Sequence, residues 1–431
     1  MLLKQSLIFL VSLFVVQLLE ARGEEVVFVR PESVGLSATR LERVNQQLEK
    51  LVHTEQLAGA VTLIARRGRV AHWTAVGWQD KENRIPMKRD AIFRIASMTK
   101  PVTSVAVMLL YEEGHFRLTD LVSNFIPEFR DMRVLTESED GQGEVNTVPA
   151  ERSITIHDLL THTSGIAYQS NSKLGGRYNA AGITNGLLED SRSIGENVKA
   201  LAAIPLLHQP GEQFTYGLNV DVLGYLVEVI SGLSFDQFLQ KRLFQPLRMT
   251  STHFFIDEKN AVRLATVYAR QGGNLQRETR EKINETGMIY STSYPVKGSG
   301  YFSGGGGLCS TAIDYYRFCQ MLLNNGRARN GRILSRKTVE LMTTEHVSFK
   351  PEDLGTEFAG FGLGFQVRRR LGLAPQLGSQ GSYGWGGFFY TTFVIDPQED
   401  LIMISMAQLH PSGGLDWNSR FPTLVYQAID D

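Results

Sequence analysis

The stretch "AIFRIASMTKPVTSVAVMLLYEEG", Ala91 to Gly114, decides how this chain is read. Ser97 and Lys100 stand three residues apart, ahead of a long apolar run that stops at Gly114. Residues three apart on a helix share a face, so the Lys100 amine reaches the Ser97 hydroxyl. Ser97 falls at or near a helix N-terminus, where free N–H groups and the dipole favour developing negative charge. Pro101 fits a first turn. The run Val102 to Leu110 is apolar enough to be buried, which fixes the serine rigidly. A lysine desolvated there is expected to hold its proton less tightly and so to act near neutral pH. Taken alone, the pair favours a plainer reading, with Ser97 as a helix cap and Lys100 as a solvated side chain. The same spacing recurs at Ser170 and Lys173, in a polar loop with no apolar helix behind it.

Around this stretch the chain has 431 residues, 42% hydrophobic and 21% charged, with a formal net charge of -1. That is the composition of a soluble globular protein with a large core, as one big domain or two lobes. The charge gives no reason to expect nucleic acid or an acidic membrane surface as partner. The N-terminus, "MLLKQSLIFLVSLFVVQLLEARGEE", has Lys4, an apolar run from Leu7 to Leu19, and Ala21-Arg22-Gly23. This is a secretory signal layout, so residues 1–23 are expected to be removed and the mature chain, 24–431, to be periplasmic or secreted. The apolar run is short for a membrane span, and no cysteine follows it to carry a lipid. No stable membrane insertion is expected after cleavage. Cys309 and Cys319 are expected to be free and buried, because a helix from about Ala312 would hold them too far apart to bridge.

Ser37 is placed to cap a helix with Leu41, Val44, Leu48, Leu51 and Val52 on one side. "GAVTLIARRGRVAHWTAVG" reads as a hairpin turning at Arg66 to Arg69. From Asp120 to about Gly300 glycine and proline punctuate helical pieces such as "VDVLGYLVEVISG" and "SFDQFLQKRLFQPL". The C-terminal part returns to strands: "FGLGFQVRR", "GFFYTTFVIDP" and "DLIMISMAQ", before a last helix with Leu424, Val425 and Ile429. The predicted fold is α/β of the α+β kind. One antiparallel sheet, flanked by helices, is closed by the two ends of the chain, about 24–95 and 305–431. A mainly helical lobe occupies about 96–304.

Further motifs follow Ser97 in order: "LLTHTSGI" (159–166), "PGEQFTYGLNVDVLG" (210–224), "GGGGLCSTAIDYYRF" (304–318) and "GWGGFFYTTFVIDP" (384–397). With "FRIASMTK" they resemble the serine β-lactamase and penicillin-binding-protein superfamily, nearest its class C-like branch, which includes esterases of the same fold. The resemblance runs from about Leu36 to the C-terminus. It implies Ser97 as nucleophile, Lys100 as its partner base and Tyr216 as the tyrosine that shares the proton work. Which of Lys100 and Tyr216 is the base stays open. The resemblance also places "YGWGG", Tyr383 to Gly387, on the strand beside the site, with the N–H groups of Ser97 and Phe388 as oxyanion hole.

Two departures separate this chain from most members. Leu218 stands where an asparagine is usual, with Asn219 one place late, and Trp385-Gly386-Gly387 replaces a Lys-Thr-Gly or His-x-Gly motif. A pocket of Leu218 and Trp385, with Gly386 and Gly387, cannot pair the carboxylate of a penicillin or peptide. The resemblance therefore points to cleavage of small-molecule carboxylic esters through an acyl-enzyme, with no cofactor and no metal. The alternatives are a β-lactamase or D-amino-acid peptidase on cell-wall-like substrates, or acyl transfer to an alcohol. A non-catalytic relative would be expected to lose Ser97, Lys100 or Tyr216. His162 and Ser164 read as turn-holding residues, and His157-Asp158 carries no Gly-x-Ser-x-Gly partner that a Ser-His-Asp enzyme would show. The glycine run 304–307 is not a phosphate loop; it is expected to let backbone pass close to the cleft.

Overall fold

The computed structural model describes residues 26–136, 146–279, 283–285, 288–296, 300–350, 358–369, 372 and 376–431. The expected signal segment lies outside them.

The helix capped by Ser37, α1 (Ala38–His53), buries Leu41, Val44, Leu48 and Leu51. The Ser37 side chain accepts from the Arg40 N–H. The hairpin follows as β1 (Gly59–Arg66) and β2 (Arg69–Asp80), with β3 (Ile85–Pro86) at the edge. The Lys100 helix is α2 (Thr99–Glu112), the tyrosine-motif helix α4 (Asn219–Ser231), and the short α3 (Ile156–Leu160) precedes the "THTSGI" turn. The helix carrying Cys319 is α5 (Ala312–Leu323) and the last is α6 (Trp417–Tyr426). Both cysteines are free and buried.

Strands β4 (Val347–Ser348), β5 (Ala359–Phe361), β6 (Gln366–Arg368), β7 (Tyr383–Gly387), β8 (Thr391–Asp396) and β9 (Leu401–Ala407) complete the sheet. Its order is β4-β5-β6-β7-β8-β9-β1-β2-β3, a nine-stranded antiparallel sheet. The last strand pairs with the first, Ala60 opposite Ala407 through Arg66 opposite Leu401. The two ends of the chain thus close one sheet.

Both faces of the middle strands are covered, so alternate side chains go to different cores. Val61, Leu63, Ile402, Ile404 and Met406 join the core shared with α2, α4 and α5. Ala60, Ile64, Leu401, Met403 and Ala407 pack on the other side with α1 and α6.

The sequence reading misplaced some boundaries. "FGLGFQVRR" is a turn between β5 and β6, not one strand. Gly364 adopts φ +93° and the Gly362 N–H donates to the Phe365 carbonyl at 2.8 Å. A left-handed residue and a local hydrogen bond reverse the chain there. "GFFYTTFVIDP" likewise holds the β7–β8 turn, with Tyr390 at φ +72°, and the strand starts only at Thr391. Ile429 falls beyond α6 and bridges Leu36.

Candidate active site

Ser97 sits in a 3-10 turn, Ala96–Met98, that runs straight into α2. Ala96, just before it, is held at φ +42°, a left-handed conformation that costs an alanine on the order of 1 kcal/mol. The surroundings over-determine it: Arg94 is fully enclosed and donates to the carbonyls of Tyr294, Ala265 and Thr292. This ties the strand leading to Ser97 to three loop segments. Ser97 itself is half-buried and lines an open cleft of about 520 Å³.

Lys100 is completely buried. Its Nζ lies 3.3 Å from Ser97 Oγ, 2.8 Å from the Tyr168 hydroxyl and 2.7 Å from the Gly305 carbonyl. Three acceptors match the three N–H groups of an ammonium. The Tyr216 ring lies beneath the same nitrogen, 4.6 Å from Nζ to its centroid. The sequence expectation of a weakened hold on the proton is therefore overturned. Burial opposes the charged form, but the oxygens of Tyr168 and Tyr216 outweigh it and hold Lys100 above the usual lysine range.

Tyr216 lies in the cleft with Ser97, and its oxygen accepts from Trp385 Nε1 at 3.2 Å. The expected Tyr216, Lys100 and Ser97 thus come together. Trp385, Gly386, Gly387 and Phe388 form the facing wall. Gly387 has a packing reason to be glycine: a Cβ there would meet the Ile95 carbonyl oxygen at 2.4 Å. The end of β7 therefore lies directly against the Ser97 turn. Among the described residues, neither the Ser97 N–H nor the Phe388 N–H has an acceptor within the protein.

Leu218 is not brought to the cleft. It is fully buried at the start of α4 and belongs to the core. Asn219 is turned away as well. Its amide accepts from Ser164 Oγ at 2.5 Å and donates towards His162 Nδ1 at 3.0 Å. So "LLTHTSGI" forms a turn behind Tyr216, clamped by the displaced asparagine. His162 is enclosed and held well below the usual histidine range, by burial first and by Lys100 second. His157 pairs with His346, and Asp158 caps α3 through Thr155 and pairs with Arg152. Among the described residues, no histidine and no arginine lines the cleft. Its apolar walls are Leu187, Met288, Trp385 and Phe388. Among the described residues no cluster of His, Cys, Asp or Glu could hold a metal ion.

Two residues at Lys100 escaped the sequence reading. Tyr168 follows the "HTSGI" turn and is its shortest side-chain partner; no spacing rule links positions 100 and 168. Burial keeps the Tyr168 phenol above its ordinary range. Gly305, from the glycine run, delivers its carbonyl to Lys100. That is the close backbone approach expected of this run: a Cβ on Gly304 would sit 2.4 Å from the Val220 carbonyl oxygen.

The beta-lactamase family model matches residues 44–418. The chain belongs to that family. It is 36% identical to protein Rv1367c of Mycobacterium tuberculosis over 84% of this chain and 88% of the relative. It is 29% identical to esterase EstB of Burkholderia gladioli, covering 85% and 90% of the two chains. The structure of EstCE1, described as a hydrolase with promiscuous acyltransferase activity, superposes with a TM-score of 0.78 at 29% identity, covering 91% of this chain and 98% of that one.

Proposed function

We propose that this protein is a serine hydrolase of small carboxylic esters. The observation that carries this is Ser97 Oγ at 3.3 Å from a buried Lys100, on the floor of a cleft with apolar walls. Likeness to esterase EstB and to EstCE1 supports the same chemistry.

Ser97 Oγ attacks the ester carbonyl. Its proton passes to the Lys100–Tyr216 pair, and the positive charge held at Lys100 stabilises the negative charge developing beside it. Tyr168, held above its ordinary range by burial, takes no proton in this scheme and serves as an acceptor for Lys100. The N–H groups of Ser97 and Phe388 face the oxyanion. The Lys100–Tyr216 pair returns the proton to the leaving alkoxide, which departs as an alcohol. Water then repeats the sequence on the acyl-enzyme and releases the acid. An alcohol in place of that water gives acyl transfer, a reading that likeness to EstCE1, with its promiscuous acyltransferase activity, favours.

Recognition of a carboxylate, which a β-lactamase or D-amino-acid peptidase needs, finds no cation among the described residues lining this cleft. Leu187, Met288 and Phe388 supply the apolar wall in which Leu218 takes no part. We also propose that residues 1–23 direct export to the periplasm or medium and are removed, from their charge and apolar pattern alone. N-terminal sequencing of the mature protein tests that point. The substrate reading is tested by a nitrophenyl butyrate ester and a chromogenic cephalosporin side by side, with Ser97→Ala as blank. Fast ester and slow cephalosporin cleavage are expected; the reverse order overturns it.

A further inference from the structure

Behind Lys100, on the side away from the cleft, lies a carboxylate that the proposed chemistry does not use. Asp221 is an acid in the otherwise mainly apolar run "NVDVLGYLVEVIS" of α4, and it is completely buried. Its Oδ1 accepts from Ser303 Oγ at 2.7 Å and from the Tyr301 hydroxyl at 3.1 Å. Its Oδ2 lies against Gly305 without a well-formed hydrogen bond. A Cβ on Gly305 would be 2.4 Å from that oxygen and 3.7 Å from Lys100 Nζ. The two charges therefore face each other across a residue that has no side chain to separate them.

We infer that Asp221 is the positioning residue for Lys100, a buried counter-charge that moors the 303–305 backbone and keeps the ammonium within reach of Ser97. This rests on the serine-hydrolase reading of the cleft. The contacts favour it over a purely structural role. A carboxylate enclosed without a cation is strongly penalised, and the group facing it across Gly305 is Lys100. The acceptors that Lys100 touches directly, Ser97, Tyr168 and the Gly305 carbonyl, are all formally neutral. Asp221 thus supplies the negative charge that balances the site. Burial raises its carboxyl above the usual range, while Ser303, Lys100 and Tyr301 act in the opposite direction. The groups facing the pair are Ser97 and Lys100 on the nucleophile side, Tyr168 and His162 from the turn after α3, Tyr216 ahead of α4, and Tyr301 and Ser303 from the loop before the glycine run.

The test is the pH profile of kcat/KM for nitrophenyl butyrate, over about pH 5 to 12, in wild type and Asp221→Asn. Asparagine keeps an oxygen for Ser303 and Tyr301 but removes the charge. With its counter-charge gone, Lys100 loses its proton at lower pH. The alkaline limb is expected to fall about one pH unit earlier, a tenfold relative loss at high pH. A uniform loss at every pH, or a profile that superimposes on wild type, overturns the inference. Should Asp221→Asn not fold, Ser303→Ala decides. It strips one hydrogen bond from the carboxylate and is expected to move the acidic limb upward; an unmoved acidic limb counts against the inference. Labelling of Ser97 by a fluorophosphonate runs in parallel. A wild type that hydrolyses the ester without labelling at Ser97 removes the serine reading itself. Labelling with an unmoved pH profile removes only the role of Asp221.

Discussion

The molecule contains the same four-residue spacing twice, and the two copies differ in everything except that spacing. Ser97 and Lys100 stand at the entrance of a buried helix, with the lysine fully enclosed and given three acceptors. Ser170 and Lys173 are exposed in a turn where Asn171 Oδ1 accepts the Lys173 backbone N–H at 3.0 Å. Ser170 even lines the outer part of the same cleft. Nearness to the cleft therefore does not make a nucleophile. The difference lies in the environment: a rigid helix start, an ammonium taken from water and held by phenols, and a strand end pressed against the turn by Gly387.

That contrast can be broken most severely at the serines. Ser97→Ala is expected to lower ester turnover by at least about a thousandfold, and Ser170→Ala to leave it within about twofold, in steady-state assays of both proteins. Next come the lysines. Lys100→Met keeps the buried stem and removes the charge, with an expected loss of about a hundredfold or more in kcat; Lys173→Met on the surface is expected to be silent. Equal losses at 100 and 173 would erase the difference between the two copies. A smaller effect sharpens it: Tyr168→Phe removes one charge-assisted acceptor from Lys100 and is expected to cost about tenfold in kcat, with a thermal melt showing the fold intact. Smallest is Trp385→Phe, which takes one neutral donor from the Tyr216 oxygen and is expected to cost about fivefold in kcat/KM.

Much of this was legible in the chain because it depends on local rules. The Ser37 cap, the hairpin at Arg66 to Arg69 and the apolar helix behind Ser97 each follow from patterns a few residues long. The closing of one sheet by both chain ends followed from where the strand-forming runs lie. What escaped needed either a single-residue register or a distant partner. The shift of one place that puts Leu218 at the start of α4 sends it to the core and Asn219 to the His162 turn, and no motif position reveals the direction a side chain takes. The protonation of Lys100 could not be read from burial alone. Its sign is set by Tyr168 and Tyr216, which lie far from it in sequence and beside it in space. The turns at Gly364 and Tyr390 were hidden inside apolar, aromatic runs that look like continuous strand.

The claim beneath all of these is that one serine, and not its twin, carries the acyl group. Rapid quenching of the enzyme during turnover of a nitrophenyl butyrate ester, followed by digestion and mass spectrometry, reads that directly. A butyryl adduct on the peptide containing Ser97, absent from the Ser97→Ala protein, is the predicted result. An adduct on the Ser170 peptide, or turnover by Ser97→Ala at the wild-type rate, would contradict it.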